Sequence, residues 1–335
     1  LDYTRPITAA EDKTPDKSTI YDECDAIGIN YNLSIYDAVH KMRPDKPIFA
    51  SECCATGTTR DWNFDTAVSG RIQDKDRDTN DWFLGREKTY KFLRERSYVF
   101  GCYQWAAVEH RGEAAWPRVC SCSGALDLFL QKKGAFYQNK SHWSAEPMAH
   151  IVPHWNFKGL EGKEIPVTVY TNCEELELFL NGKTLGKQQI EKYGHGEWSV
   201  EYIPGTLEVK GYIGGKEVCS DKRVTTGKPV ALRLTRDNDF TANGSDIALF
   251  TCECVDENGL AVPDAAEYVH FSVTAPAKII GTGSDNCDHN NVANTERKMY
   301  MGKIRVAVKP KKGQESFTLT AMSDNCGVCE LKVVL

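Results

Sequence analysis

The period of the hydrophobic pattern changes once along this 335-residue chain, near residue 150, and that change limits the folds open to it. Before it, short continuous apolar runs alternate with helical stretches. The runs fall at 26–31, 47–52 and 98–105. Runs without alternation suit parallel strands covered on both faces. Between them lie two helix candidates. Segment 34–41 opens on Ser34, which reads as a cap. Segment 80–96 opens on Asn80-Asp81 and closes on Arg94 and Arg96, a charge order that suits the helix dipole. Strand–helix alternation predicts a parallel α/β sheet or barrel.

After residue 150 the period becomes two. Leu176, Leu178 and Leu180 fall on one face of a strand, and Asn181-Gly182 follows as a hairpin signal, because both residues accept positive φ. Trp198, Val200 and Tyr202 repeat the alternation, and Pro204-Gly205 makes the next turn. A second all-β unit begins near Lys228-Pro229. Its alternating pairs are Leu232 and Leu234, Ile247 and Leu249, Phe271 and Val273, then Ile304, Val306 and Val308. Asn243-Gly244 and Asn258-Gly259 supply turns. Each unit has roughly the size of an immunoglobulin-like sandwich of about 100 residues. The expected organisation is an α/β unit over 1–148 and β-sandwiches over 149–227 and 228–335.

Composition removes some classes of function. The net charge is −6 with the signs interspersed, so no basic stripe offers a nucleic-acid surface. No apolar run approaches the roughly 18 residues of a membrane span. The thirteen cysteines are an odd number, so at least one is unpaired within the chain. Only one C-x-x-C exists, at Cys326 and Cys329, whereas a structural zinc site wants two such pairs. The cysteines read mostly as small buried hydrophobes, with room for a disulfide or two and no metal. The polar run 283–291 with Asp285 lacks the spacing of a twelve-residue calcium loop and reads as solvated chain. No cofactor is expected, and the oligomeric state stays open.

Several segments, in order, resemble glycoside hydrolase family 2. Thr4-Arg5-Pro6-Ile7-Thr8 is similar to that family's fifth barrel strand and Gly28-Ile29-Asn30-Tyr31 to its sixth. Lys46 to Ser51-Glu52 is similar to the seventh. Phe100 to Trp105, followed by His110-Arg111-Gly112-Glu113 and Trp116-Pro117, is similar to the eighth and its loop. Gly124 to Leu128 and Phe136-Tyr137 resemble the last helical region. Pro153-His154-Trp155-Asn156 and the segment ending Asn181-Gly182-Lys183 resemble the sandwich that follows the barrel in the family's β-galactosidases. The resemblance implies the C-terminal half of a (β/α)₈ TIM barrel, strands five to eight, followed by two immunoglobulin-like sandwiches. A whole barrel takes about 250 residues. The remaining strands, and the family's acid/base glutamate after an Asn, are therefore expected upstream, since this chain has no Asn-Glu dipeptide. The family also suggests a periplasmic or secreted setting.

The resemblance makes Glu52 the nucleophile of a retaining glycosidase acting on a β-linked oligosaccharide or glycoside. Such enzymes need two carboxyl groups about 5 to 5.5 Å apart, and barrel enzymes gather functional groups at the C-terminal ends of strands. From position alone Glu52 would pass for a strand-end acid held by an arginine. Tyr31 is expected to donate to Glu52, and Asn30 either assists or caps its strand. Trp105 is read as the floor of the sugar site or as a packing residue. Glu109 and His110 are read as contacts to sugar hydroxyls or as members of a salt bridge. Arg60 and Trp62 either border the site or lie on surface chain, in a loop spanning 55–65. Lys132-Lys133 reads as a solvated pair, with a substrate carboxylate as the sharper alternative. The family's β-glucuronidases use Asn-x-Lys near this place, and Gln131-Lys132-Lys133 lacks the Asn. A β-galactoside is the expected substrate. A glucuronide, a mannoside and a non-catalytic glycan-binding module are the alternatives.

Overall fold

The computed structural model describes residues 4–64, 70–77, 79–80 and 83–335. Its first part is built on strands β1 (Thr8–Glu11), β2 (Ala26–Asn30), β3 (Ile48–Cys53), β4 (Thr79–Asn80), β5 (Phe83–Leu84) and β6 (Val99–Gln104). Four of these form a parallel sheet in the order β1-β2-β3-β6. Helices α1 (Ile20–Glu23), α2 (Tyr36–Met42) and α3 (Arg86–Arg94) lie in the connections, and α4 (Gly134–Trp143) follows β6. Strands and helices share one core. Ile27, Ile29, Ile48 and Ala50 pack against Tyr36, Val39, Tyr90 and Leu93.

Details differ from the sequence reading. The first strand runs Thr8–Glu11 and not over 4–8. Ser34 lies inside a 3₁₀ turn, Leu33–Ile35, that leads into α2, and its hydroxyl donates to Asn32, so it caps nothing. Helix α3 starts at Arg86, because Asn80 belongs to the β4–β5 hairpin; Asp81 lies outside the described residues. The acceptor for its first N–H groups comes from Asp76, whose carboxylate takes Arg86 N–H at 3.1 Å and Glu87 N–H at 3.0 Å. The sheet is also not covered on both faces among the described residues. Phe100 and Tyr103 of β6 are 62% and 66% exposed while packing their rings on Phe49.

The middle of the chain holds β7 (Ala149–Val152), β8 (Glu164–Thr171), β9 (Glu175–Leu180), β10 (Lys183–Gln189), β11 (His195–Glu201), β12 (Thr206–Ile213) and β13 (Lys216–Val224). They form two sheets, β10-β9-β12-β13 and β11-β8-β7. Leu176, Leu178, Val167, Val169, Leu207 and Val209 fill the space between, closed by Trp155. The β9–β10 turn has Asn181 at φ 51° and Gly182 at φ 78°, the pair of positive values a two-residue hairpin demands.

The last part adds β14 (Ala231–Arg236), β15 (Ala248–Val255), β16 (Tyr268–Val273), β17 (Lys278–Gly283), β18 (Glu296–Lys298), β19 (Lys303–Lys309), β20 (Ser316–Ser323) and β21 (Gly327–Val334). Its sheets are β14-β15-β19-β17 and β18-β16-β20-β21. One strand is out of phase with the sequence reading. Ile247 is 41% exposed just before β15, and Leu249 is half-buried; the fully buried positions are Ala248, Phe250, Cys252 and Cys254. Two cysteines take the places that a hydrophobicity count gave to isoleucine and leucine.

Polar contacts tie the parts together. Arg60 is buried and donates to the Asp127 carboxylate at 2.8 Å and to the carbonyls of Tyr300 at 3.0 Å, Met301 at 3.3 Å and Ser284 at 3.4 Å. It is not surface chain. The run 283–291 is solvated only at its end: residues 289–291 are exposed, while the earlier part is tied in. Asp285 pairs with Arg71 at 2.5 Å, Asn286 accepts from Val119 N–H at 2.8 Å, and Asp288 pairs with Arg297 at 2.5 Å.

Helix α3 meets the middle sandwich through Glu87 and His195, 2.5 Å apart. Burial by itself lowers the His195 pKa, but the Glu87 carboxylate outweighs it and leaves the imidazole above its ordinary value. This bridge stabilises in full below the unfolded histidine's pKa of about 6.5 and is lost as the pH rises through the raised folded value. Burial opposes the ionised form of Glu87 too, yet His195 and Lys91 hold its carboxyl below the usual range. Raising the pH from about 6 to about 9 is therefore expected to lower the thermal midpoint more in the wild type than in His195→Gln. Scanning calorimetry at several pH values checks this; parallel curves would remove His195 from the docking of α3.

Candidate active site at the ends of three strands

Three adjacent parallel strands bring the candidate residues to one edge. Asn30 ends β2, Glu52 lies near the end of β3, and Trp105 follows β6. Pairing between β2 and β3 slips after Ile29, so Asn30 faces Glu52 instead of Ser51. That irregularity turns the Glu52 side chain toward the groups at the end of β2. Tyr31 takes φ 53° directly after β2, and its N–H donates to the Glu52 carbonyl at 2.9 Å. This left-handed step aims the ring back, and the Tyr31 hydroxyl donates to Glu52 Oε1 in a very short hydrogen bond. Asn30 Nδ2 donates to Glu52 Oε2 at 3.4 Å, and Ser51 Oγ fixes the amide by donating to Asn30 Oδ1 at 2.8 Å. Each carboxylate oxygen thus has its own donor. Burial first, and then the bond to Glu52, push the Tyr31 phenol far above its ordinary range, so it stays a donor at any working pH.

Trp105 N–H donates to the Cys53 carbonyl at 2.7 Å, which pins the start of the following loop to the strand that carries Glu52. The Trp105 ring meets the His110 ring edge-on at 5.2 Å, and Glu113 lies 3.4 Å from Trp105 Nε1 and 3.5 Å from His110 Nε2. Glu113 is exposed, while Trp105 and His110 are half-buried. The structure therefore brings together Asn30, Tyr31 and Glu52, and places Trp105 and His110 on the neighbouring strand end with Glu113.

Glu109 does not join them. Its side chain is 0% exposed, and so is that of Lys133, 2.7 Å away. Glu109 also accepts from Leu128 N–H at 3.2 Å, and Lys133 donates to the Cys122 carbonyl at 2.9 Å. A carboxylate closed off this way cannot reach a sugar hydroxyl, and Lys133 is no solvated lysine. Burial raises the Glu109 pKa against the pull of Lys133. Nothing in the sequence distinguishes Lys133 from its exposed neighbour Lys132. The pair braces the loop that carries His110 and Glu113. Lys133→Met leaves a buried carboxylate unpaired, a loss worth about 3–5 kcal/mol. Lys133→Met with Glu109→Gln should recover most of it. Urea unfolding of the two variants measures the difference, and equal stabilities would contradict a paired burial.

A cleft of about 1010 Å³ lies elsewhere, where the three parts meet. Lys132, Arg223, Asp237 and Arg305 line it, and Glu52 does not.

A sheet of parallel strands with a doubly held carboxylate at its C-terminal edge is compatible with a glycoside hydrolase, and comparison with known proteins gives the family. Residues 232–332 match glycoside hydrolase family 2 C-terminal domain 5. Residues 162–219 match a domain of unknown function, DUF4982. Beta-galactosidase BoGH2A of Bacteroides ovatus is 30% identical over 358 aligned residues, which cover 99% of this chain and 42% of that protein. A beta-glucuronidase of Formosa agariphila is 30% identical over 317, covering 87% of this chain and 31% of that protein. A solved glycosyl hydrolase family 2 member from Bacteroides cellulosilyticus superposes with a TM-score of 0.83 at 30% identity, covering 100% of this chain and 44% of that one. The chain belongs to glycoside hydrolase family 2, and it spans less than half the length of the curated relatives it matches.

Proposed function

We propose that these residues form part of a retaining β-glycosidase in which Glu52 is the nucleophile. The observation that carries this is the geometry around its carboxylate. Oε1 accepts from Tyr31 and Oε2 from Asn30, at the C-terminal edge of a parallel sheet. A nucleophile must be ionised and held in one orientation before it attacks the anomeric carbon, and donors on both oxygens do both. Attack displaces the leaving oxygen and forms a glycosyl-enzyme, which water then hydrolyses. In this reading Trp105 is the apolar floor under the sugar ring, and His110 with Glu113 forms a polar rim.

The parallel sheet is read as strands five to eight of a (β/α)₈ barrel. The exposed Phe100 and Tyr103 fit that reading, since they stand on the face that a closed barrel would fill. The remaining barrel strands and the acid/base carboxylate are assigned to another part of the protein. Among the described residues no carboxylate contacts Glu52. The chain divides at about residues 148 and 227 into this half-barrel and two immunoglobulin-like sandwiches.

A β-galactoside is the proposed substrate. The Bacteroides ovatus relative is called a beta-galactosidase, and Lys133 is consumed by Glu109 and so is not free to bind a sugar carboxylate. A β-glucuronide is the second reading, favoured by the name of the Formosa agariphila relative.

In the full-length enzyme Glu52→Gln is expected to lower kcat by at least ~10³-fold, about 4 kcal/mol of transition-state stabilisation, with little change in folding. A 2-fluoro galactoside that traps the glycosyl-enzyme should label Glu52, read by peptide mass spectrometry. Label on another carboxylate would overturn the assignment. Faster turnover of nitrophenyl glucuronide than of nitrophenyl galactoside would select the second substrate.

A further inference from the structure

Two thiols far from Glu52 face each other inside the middle sandwich. Cys173 follows β8, Cys219 lies within β13, and their sulfurs are 3.4 Å apart. From the geometry we infer that Cys173 and Cys219 are a disulfide-forming pair, closed by thiol–disulfide exchange with a small oxidised disulfide such as oxidised glutathione.

Three features support the pairing. The backbone already holds both partners in place: Gly211 is opposite Cys219 in the β12–β13 register, and Glu174 N–H donates to the Tyr212 carbonyl at 3.0 Å, which anchors the residue after Cys173 to β12. Nothing intervenes between the sulfurs, because residue 211 is glycine. A Cβ there would lie 2.7 Å from each Sγ. Side-chain rotation then has to close a gap of only about 1.4 Å to reach a disulfide of about 2.05 Å. The third feature is reactivity. The hydrogen bond the two sulfurs share holds one thiol of the pair below its ordinary range and the other above it, so the pair as a unit offers the thiolate that such exchange requires.

Access sets the order of events. Cys173 is 5% exposed while Cys219 is only half-buried. Cys219 sulfur attacks one sulfur of oxidised glutathione and expels one glutathione thiolate. Cys173 thiolate then attacks the Cys219 sulfur of the mixed disulfide and expels the second. The two protein protons end on the two glutathione molecules, and the two electrons reduce their former S–S bond.

Two of the other close thiol pairs make useful contrasts. Cys254 and Cys326 are 3.9 Å apart and both buried, so neither presents the half-exposed sulfur that Cys219 does. Cys53 and Cys54 are 3.4 Å apart but adjacent in the chain. Their Cα atoms are held about 3.8 Å apart by the trans peptide, short of the 4.4–6.8 Å that ordinary disulfides span.

The test is non-reducing peptide mapping of the full-length protein after exposure to oxidised glutathione. The expected result is a Cys173–Cys219 linked peptide at higher occupancy than any other pair. The thermal midpoint should rise by several degrees, because the link closes a long loop, and dithiothreitol should reverse the rise. Cys219→Ser should match the reduced wild type and show no rise. Absence of the linked peptide, or a rise that persists in Cys219→Ser, would overturn the inference. Mapping of the wild type decides the matter even where a variant folds poorly.

Discussion

One guanidinium holds the parts of this chain in register. Arg60 sits in the loop after β3, the strand of Glu52. It binds Asp127, whose own carboxylate accepts the N–H groups of Phe129 and Gln131 in the loops after β6. Its remaining donors go to the neighbouring Asp61 carboxylate and to carbonyls of the last sandwich. The Tyr300 hydroxyl returns a bond to the Arg60 carbonyl at 3.0 Å. A charge this deeply buried is tolerated only when every donor direction is met. The loops leaving two site-bearing strands and the last sandwich must therefore all be present and aligned for Arg60 to be buried. The α/β unit and the C-terminal sandwich are thus joined by an obligation of solvation.

The same economy operates at the candidate site. The environment of Glu52 is shaped by backbone irregularities. The slip between β2 and β3 and the left-handed φ of Tyr31 place a phenol and an amide on separate oxygens. Neither is costly for the sheet, because both occur at its C-terminal edge, where ladder bonds end. Family 2 membership rests on the whole length of the chain, while the proposed chemistry depends on this small edge.

Much of this was legible in the sequence, and what was not has physical causes. Continuous apolar runs located β2, β3 and β6, since a strand facing a helix layer needs no alternation. Leu176, Leu178 and Leu180 gave both the period and the phase of β9, because its outer face is charged. In β15 the same rule gave the period and lost the phase, since Cys252 and Cys254 bury as fully as leucine while Ile247 stays outside. Tyr31 as the partner of Glu52 followed from adjacency of strand ends. The burial of Lys133 did not, because its partner Glu109 lies 24 residues away and only the folded loop brings them together. Arg60 was misread for the same reason at larger range, with acceptors at 284, 300 and 301. Charged residues in loops reveal nothing local about whether they will be paired.

The acceptors that Arg60 finds in the last sandwich are main-chain oxygens, and a main-chain oxygen has no identity. Substitutions at Ser284, Tyr300 or Met301 can change every side chain at this junction and leave the three carbonyls where they are, provided the strands keep their path. These three bonds thus read the path of the strands and not the side chains they carry. Sequence enters the junction elsewhere, through the Tyr300 hydroxyl on the Arg60 carbonyl and the Asp285–Arg71 pair.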